Sequence, residues 1–272
     1  YSLSIFVILI DTKYFSNKRL RIISVLLAGF CFFLASGTAS AQCWTSDLSE
    51  EEQLSVARET FADGLYSEAS KTAKCYLDEF KESTAREEVF FLRAEALRKV
   101  GDIQGSIKAY DELKNNFAQS KSYLDNAVLQ QGITLVLSRK YPLAIKTLNS
   151  LLQDYPTSKL RDEAHYWLGY VTSFRAELLR KKNKEEALQE YKTSIQHFKN
   201  GDPTALTLKQ QQERWYLIGR AWWFMDNISN TAEAWDQYFK HSKSIKPEQA
   251  LNLKYQLASR FQQAKENKQS ES

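Results

Sequence analysis

The side chains most often used in catalysis are few and scattered in this sequence. Its histidines, His165, His197 and His241, lie far apart along the chain, and none belongs to a His-Glu-x-x-His metal motif. His165 falls in a slot that a large packing side chain usually fills in the helix pattern described below. We therefore interpret it as a packing residue rather than a metal ligand, and we predict no metal site.

Other signatures of catalysis are also missing from the sequence. It contains no glycine-rich phosphate loop, no Gly-x-Ser-x-Gly nucleophile motif and no Cys-x-x-Cys zinc pair. The acidic pairs Glu51-Glu52, Glu87-Glu88 and Glu185-Glu186 stand near predicted helix starts, where the helix dipole favours negative charge. We interpret them as helix-start residues rather than a catalytic dyad, and we expect a non-enzymatic protein without a cofactor.

Two of the three cysteines have the spacing for a structural disulfide. In an antiparallel helix pair that turns near Gly64, Cys75 returns to the end where the first helix begins, and Cys43 lies just upstream of that end. An oxidising compartment favours such a bond. We predict a Cys43–Cys75 disulfide; two free thiols are the alternative.

Residues 1–41 have the pattern of a leader with a secretory signal peptide. A basic stretch at 18–21 precedes an apolar run from Ile22 to Leu34, and Ala39-Ser40-Ala41 gives a small-residue cleavage site. We predict that the mature chain begins at Gln42, lies in the periplasm and keeps no stable membrane span. The alternative is an uncleaved anchor, because the apolar run is only slightly shorter than a membrane span.

The basic character of the chain comes mainly from this leader. The whole sequence has a formal net charge of +4 and a pI near 8.7. The leader carries four basic residues and one acid: Lys13, Lys18, Arg19, Arg21 and Asp11. The remainder is therefore close to neutral, and we expect no nucleic-acid partner.

The clearest pattern in the sequence is a helix–turn–helix joint at residues 154–169. Apolar side chains recur at helical spacing on both sides of the joint: Leu148, Leu151 and Leu152 before it, and Ala164, Trp167 and Leu168 after it. Pro156 cannot continue the first helix, and Ser158 is predicted to cap the second. The same joint returns elsewhere along the chain.

This recurrence matches the tetratricopeptide repeat (TPR), in which Trp-x2-Leu-Gly-x2-Tyr on one helix precedes Ala-x3-Phe on the next. Residues 215–222 match the first half well, and Gly132 and Gly169 occupy the same glycine slot in two further copies. The second-helix alanine slot is held in turn by Ala69, Ser106, Ala144, Ala187 and Thr231. Copies of the motif in register along the chain indicate a repeat fold.

We therefore predict an all-α, right-handed superhelical TPR-like solenoid of about five helix pairs plus a C-terminal capping helix. The predicted pairs are 50–82, 87–117, 125–156, 162–198 and 212–241, and the last helix runs from Pro247 through Phe261. Residues 42–264 form the repeat domain in this interpretation. Residues 265–272 are expected to be a disordered tail.

The joint at 154–169 resembles the TPR segments of bacterial envelope proteins. It is similar in particular to the outer-membrane assembly lipoprotein of the BamD type and to the Tol–Pal-associated protein of the YbgF type. A lipoprotein signal needs a small residue before its cysteine, yet Phe30 precedes Cys31 and Gln42 precedes Cys43. The chain departs from the BamD type in this respect, so we expect no lipid anchor.

The resemblance also implies a binding surface, because fixed positions of each first helix face a groove in TPR proteins. Carried onto this sequence, the predicted groove residues are Phe91, Leu129, Ile133, Val136, Tyr166, Tyr170, Tyr216, Arg220 and Trp223. We expect them to form a semi-exposed, mainly apolar strip on the concave side. Two alternatives are that stacked pairs bury the strip as core, or that residues after Ala264 fold back onto it.

The sequence thus favours a non-enzymatic periplasmic scaffold that binds a protein or peptide partner during cell-envelope assembly or maintenance. The alternative function is a cell-wall-associated adaptor that recruits a peptidoglycan or polysaccharide enzyme, with its aromatic side chains touching sugar.

Overall fold

The computed structural model describes residues 43, 45, 47–118, 120, 122–241 and 247–270, and the described part is helical without strands. The predicted leader, residues 1–41, lies outside this part. The α-helices of the described residues are α1 Glu50–Ala62, α2 Tyr66–Glu79, α3 Arg86–Val100, α4 Ile103–Asn116, α5 Leu124–Leu137, α6 Tyr141–Asp154, α7 Arg161–Leu179, α8 Lys184–Asn200, α9 Leu208–Phe224, α10 Ile228–His241 and α11 Pro247–Ser270. The predicted fold class, an all-α fold of TPR type, is confirmed.

The chain divides into two compact units between Val100 and Gly101. The first unit contains α1, α2 and α3. Ser49 and Glu52 form a capping box that fixes the start of α1. Ala57, Ala73 and Tyr76 are completely buried where α1 and α2 pack together. The Tyr76 hydroxyl lies 3.0 Å from a Glu50 carboxylate oxygen, which ties the end of α2 to the start of α1.

The second unit contains α4 to α11, and its helices α5 to α10 form three pairs. Each first helix carries a glycine that faces a large side chain of the second helix. A Cβ on Gly132 would lie 2.5 Å from Leu148 Cδ2, and one on Gly169 would lie 2.7 Å from the Phe198 ring. Gly219 stands in the same relation to Trp235. The glycine slot of the repeat is therefore where the paired helices approach most closely.

Three of the turns between paired helices, those after α1, α5 and α9, contain a residue in the left-handed conformation. Gly64 follows α1 with φ 79°, and Arg139 and Asp226 follow α5 and α9 with φ 60° each. The backbone then closes the turn in the same way, since the Lys140 amide donates to the Leu135 carbonyl at 2.9 Å and the Asn227 amide donates to the Trp222 carbonyl at 3.0 Å. These short turns make the paired helices antiparallel.

Two details of the helix ends differ from the sequence prediction. The N-cap of α7 is Leu160, not Ser158. Ser158 instead accepts the Leu160 amide and donates to an Asp125 carboxylate oxygen, so its hydroxyl binds α5 across the joint. At the other end of the unit, α11 begins at Pro247 as predicted but continues to Ser270 rather than ending at Phe261.

Candidate protein-binding surface

The structure divides the predicted groove residues into a buried set and a half-exposed set. The buried set, each at most 7% exposed, is Leu129, Ile133, Val136 and Tyr166. The half-exposed set is Phe91 in the first unit and Tyr170, Tyr216, Arg220 and Trp223 in the second. The predicted exposure of the strip is therefore wrong for the four buried residues, and the groove role of the others stays a prediction.

The three aliphatic residues of the buried set are core because α5 packs against α7. Leu129, Ile133 and Val136 belong to one apolar cluster with Leu168 and Val171 of α7. First helices of neighbouring pairs therefore lie side by side, and the positions expected to face a groove are enclosed between them. This outcome matches the alternative in which stacking buries the strip.

Tyr166 is buried for a different reason, because it links α7 to α9. Its hydroxyl donates to a Glu213 carboxylate oxygen at 2.8 Å, and its ring lies 6.1 Å from the Phe198 ring. Burial and the neighbouring Glu213 carboxylate raise the pKa of the Tyr166 phenol well above its usual value. The side chain is a neutral hydrogen-bond donor that joins two first helices.

The half-exposed residues of α9 line a cavity of about 260 Å³. Its lining residues come from three helices: Tyr216, Arg220, Trp223 and Phe224 of α9, Trp235 of α10, and Gln249, Asn252, Leu253 and Gln256 of α11. The ring planes of Trp223 and Trp235 stack with centroids 5.6 Å apart. The cavity thus has an aromatic wall on α9 and α10 and a mainly carboxamide wall on α11.

The carboxamides of α11 are functional candidates that sequence reasoning missed. Gln249, Asn252 and Gln256 recur every three or four residues, which places them on one helix face. The Gln256 amide donates to the Asn252 side-chain oxygen at 2.9 Å. That spacing is visible in the sequence and indicates a polar helix face. The sequence analysis interprets α11 only as the capping helix of the solenoid.

Arg220 is the charged group of the cavity wall, and it is held by several neighbours. It forms an ion pair with Glu177 of α7. Its guanidinium also lies 5.8 Å from the Tyr216 ring centroid and 5.7 Å from that of Phe224. The Arg180 guanidinium also lies over the Phe224 ring, 4.3 Å from its centroid. The arginine is therefore fixed in position.

Trp223 is also covered by α11. The Arg260 guanidinium lies 4.1 Å from the Trp223 ring centroid and forms an ion pair with Asp226 in the turn after α9. The residues that cover Trp223 therefore precede Ala264. They are not the residues after Ala264, which the sequence analysis considers as a possible cover of the strip.

Two of the histidines that lie far apart along the sequence meet in the structure. His165 of α7 and His197 of α8 approach within 3.2 Å, Nδ1 to Nδ1, because the two helices are antiparallel partners. Burial and the neighbouring His165 lower the pKa of His197 to about 4, and burial with Arg161 lowers the pKa of His165. The pair is hydrogen-bonded and neutral near pH 7.

In the first unit, the structure joins the two cysteines that the sequence analysis pairs. Cys43 and Cys75 form a disulfide with their Cα atoms 5.5 Å apart. The bond ties the segment before α1 to the C-terminal half of α2.

The described residues contain no cluster of three or more histidine, cysteine or acidic side chains that could hold a metal ion. Within the same residues, every helix is too short or too polar to cross a membrane.

Comparison with known proteins supports the repeat assignment. The family profile of the tetratricopeptide repeat matches residues 126–158, which span α5, its turn and α6. This chain carries a tetratricopeptide repeat. No curated protein sequence matches it.

Solved structures share the fold of this TPR chain. It is similar to MamA from Desulfovibrio magneticus RS-1, with 17% identity and a TM-score of 0.52 over 71% of this chain and 94% of that one. It is also similar to YrrB, described as a TPR protein with an unusual peptide-binding site, with 12% identity and a TM-score of 0.51 over 77% of this chain and 94% of that one. At such identities the likeness shows the fold alone.

Proposed function

We propose that this TPR protein is a non-enzymatic scaffold that holds an extended segment of a partner protein between α9 and α11, and that it acts in the periplasm during cell-envelope assembly or maintenance. The TPR fold is typical of protein-interaction scaffolds. The observation that carries the proposal is the cavity with an aromatic wall on α9 and a carboxamide wall on α11.

The size and chemistry of the cavity suit one side chain of a peptide. Its volume of about 260 Å³ is below the roughly 300–1,000 Å³ typical of small-molecule sites. Tyr216 and Trp223 are half-exposed and provide apolar contact area, and aromatic residues are common anchors of protein interfaces. Carboxamides offer both donors and acceptors, so Asn252 and Gln256 suit the backbone of an extended segment.

A paired substitution tests this surface. Asn252→Ala with Gln256→Ala removes two of the three carboxamides of the wall at exposed positions, so we expect the free energy of unfolding to change by less than about 0.5 kcal/mol. Capture of partners from envelope extracts should fall at least about tenfold, which corresponds to 1.4 kcal/mol. The captured proteins also separate the two functions: envelope-assembly components support the scaffold, and wall enzymes support the adaptor.

A matched control lies on the outer side of α8. Gln196 donates to Asn200 at 2.7 Å, as Gln256 does to Asn252, but this pair lines no part of the cavity. Gln196→Ala with Asn200→Ala should leave capture unchanged. Equal loss of capture in both double variants would contradict the proposed site, and so would full capture by the Asn252→Ala, Gln256→Ala variant.

The periplasmic part of the proposal depends on the leader. Cleavage after Ala41 gives a mature chain that begins at Gln42. N-terminal sequencing and the intact mass of the native protein measure this directly. A native chain that retains residues 22–41 and stays with membranes would contradict periplasmic release.

A further inference from the structure

Helices α7 and α8 form a longer pair than α5 with α6 or α9 with α10, and the extra length lies at the turn that joins them. α7 ends at Leu179, ten residues after Gly169, whereas α5 ends five residues after Gly132. α8 begins at Lys184, fourteen residues before the Phe198 ring that faces Gly169. The corresponding segments are five residues in α9 and seven in both α6 and α10. Both helices of this pair are therefore extended toward their turn.

The end of this extended pair, residues 178–184, combines positive charge with an exposed apolar side chain, and we call it the α7–α8 tip. Its four basic residues are all exposed: Arg180, Lys181, Lys182 and Lys184. Leu178 is 63% exposed beside them. Lys184 also stands in the first turn of α8, where the helix dipole favours acids and opposes a cation. Helix stability therefore does not account for the basic residue at this position.

Most acidic side chains near the α7–α8 tip are already paired with arginines of the fold. The pairs are Glu177 with Arg180 and Arg220, Glu186 and Glu190 with Arg175, and Asp226 with Arg260. Lys181, Lys182 and Lys184 have no such partner among the described residues, and one exposed acid, Glu185, stands beside them. The tip therefore keeps a surplus of positive charge.

The shape and chemistry of the tip favour a lipid surface as its partner. The end of a helical hairpin is convex, so it does not enclose a peptide segment and suits a broad surface instead. Anionic headgroups attract neighbouring lysines, whose long stems lie along apolar surface while their charges reach the phosphates. A leucine is favourable at the boundary between headgroups and acyl chains. An acidic protein would pair with the lysines but would give no role to the exposed Leu178.

We propose that the α7–α8 tip binds the surface of an anionic lipid bilayer. Lys181, Lys182 and Lys184 lie at the headgroups, and Leu178 enters the boundary with the acyl chains. Three lysines and one leucine give a weak, reversible attachment, with half of the protein bound at about 1 mM accessible lipid. The cavity of α9 and α11 is lined by other residues, so this attachment does not depend on the partner proposed for the cavity.

Sedimentation with lipid vesicles tests the proposal. The protein used begins at Gln42, the predicted mature start, so that the basic leader does not contribute. It should bind vesicles that contain phosphatidylglycerol but not vesicles of phosphatidylcholine alone, and added salt should release it. The triple variant Lys181→Gln, Lys182→Gln, Lys184→Gln should bind about 100-fold more weakly, at about fivefold for each lysine. Leu178→Ser should bind about tenfold more weakly.

Matched controls lie at the opposite end of the helix pairs. Lys159 precedes α7, Lys199 lies in the last turn of α8 and Lys209 lies in the first turn of α9, and all three are exposed. Their triple change to glutamine alters the net charge by the same amount and should leave vesicle binding unchanged. Leu208→Ser, at a residue that is 73% exposed, is the control for Leu178→Ser. Circular dichroism should show wild-type helicity for all variants.

The wild type alone can overturn the proposal, by binding neither kind of vesicle or both kinds equally. Equal loss of binding in the two triple variants would also overturn it, and so would unchanged binding by Leu178→Ser. A fluorescent polyglutamate peptide tests an acidic protein partner. If this peptide binds more tightly than the vesicles, and the triple variant of the tip loses it, the tip is a protein-binding site and the lipid proposal is wrong.

Discussion

Helices α5 and α9 hold the same place in their repeats but present their matched faces to different surroundings. Leu129, Ile133 and Val136 of α5 are enclosed by α7. Tyr216, Arg220 and Trp223 of α9 are half-exposed and line a cavity with α11. The next first helix causes the difference, because α7 supplies apolar side chains whereas α11 supplies carboxamides. In this chain, a first-helix position stays accessible to a partner only where its neighbour leaves it uncovered.

The largest change in stability is expected for the buried face of α5. Leu129→Ala removes a completely buried side chain and should lower the free energy of unfolding by about 2–4 kcal/mol. Tyr216 holds the matching position on α9 and is half-exposed. Tyr216→Ala should therefore lower the free energy of unfolding by less than about 2 kcal/mol. Urea denaturation of both variants measures the difference. Equal costs would show that the two faces are packed alike.

A second substitution tests the close approach within a pair. Gly169→Ala would place a methyl group against the Phe198 ring, so we expect a loss of about 1–3 kcal/mol in the free energy of unfolding. Gly132→Ala meets the flexible end of Leu148 instead and should cost less. Thermal and urea unfolding give the order of the two variants. A stabilised Gly169→Ala variant would mean that helix propensity outweighs the contact.

The histidine pair of α7 and α8 should make stability depend on pH. The folded pKa of His197, about 4, lies below the unfolded value of about 6.5, so the unfolded chain binds more protons between these values. The free energy of unfolding should therefore fall as the pH is lowered from about 6.5 to about 4. Allowing for partial solvent screening, the loss is about 1–2 kcal/mol.

His197→Asn isolates this effect from the titration of carboxylates. The slope of unfolding free energy against pH between 6.5 and 4 should be smaller in the variant than in the wild type. Parallel slopes would show that the imidazole pair does not resist protonation.

The smallest effect concerns Tyr166. Tyr166→Phe removes the hydrogen bond to Glu213 but keeps the ring, and it should cost about 1 kcal/mol of unfolding free energy. Partner capture should be unchanged, because the hydroxyl faces α9 rather than the cavity. Loss of capture without a loss of stability would return Tyr166 to the binding surface.

The helices could be predicted from the sequence because their signals are local. Gly64 and Pro156 lie at the expected helix ends, and the apolar spacing in the 162–198 segment predicts α7 and α8 to within a few residues. Each of these signals depends only on residues that are close together in the sequence, so it can be recognised from one sequence alone.

The candidate surface could not be predicted in the same way, because the exposure of its residues depends on the neighbouring repeat. The pattern assigns Val136 and Trp223 the same groove position, and only the packing of α7 and α11 separates them. The contact between His165 and His197 has a similar cause. It depends on which residues of α7 and α8 lie opposite each other in the antiparallel pair, and the loop at 180–183 sets this register.

Asp226 has two roles that oppose each other. It adopts the left-handed conformation at the end of α9, where a glycine would relieve local strain, and its carboxylate binds Arg260 on α11. Glycine at this position would relieve the strain of the turn but would remove the ion pair to α11. The strained backbone of Asp226 therefore has a structural benefit. Its side chain binds α11, the helix that completes the cavity.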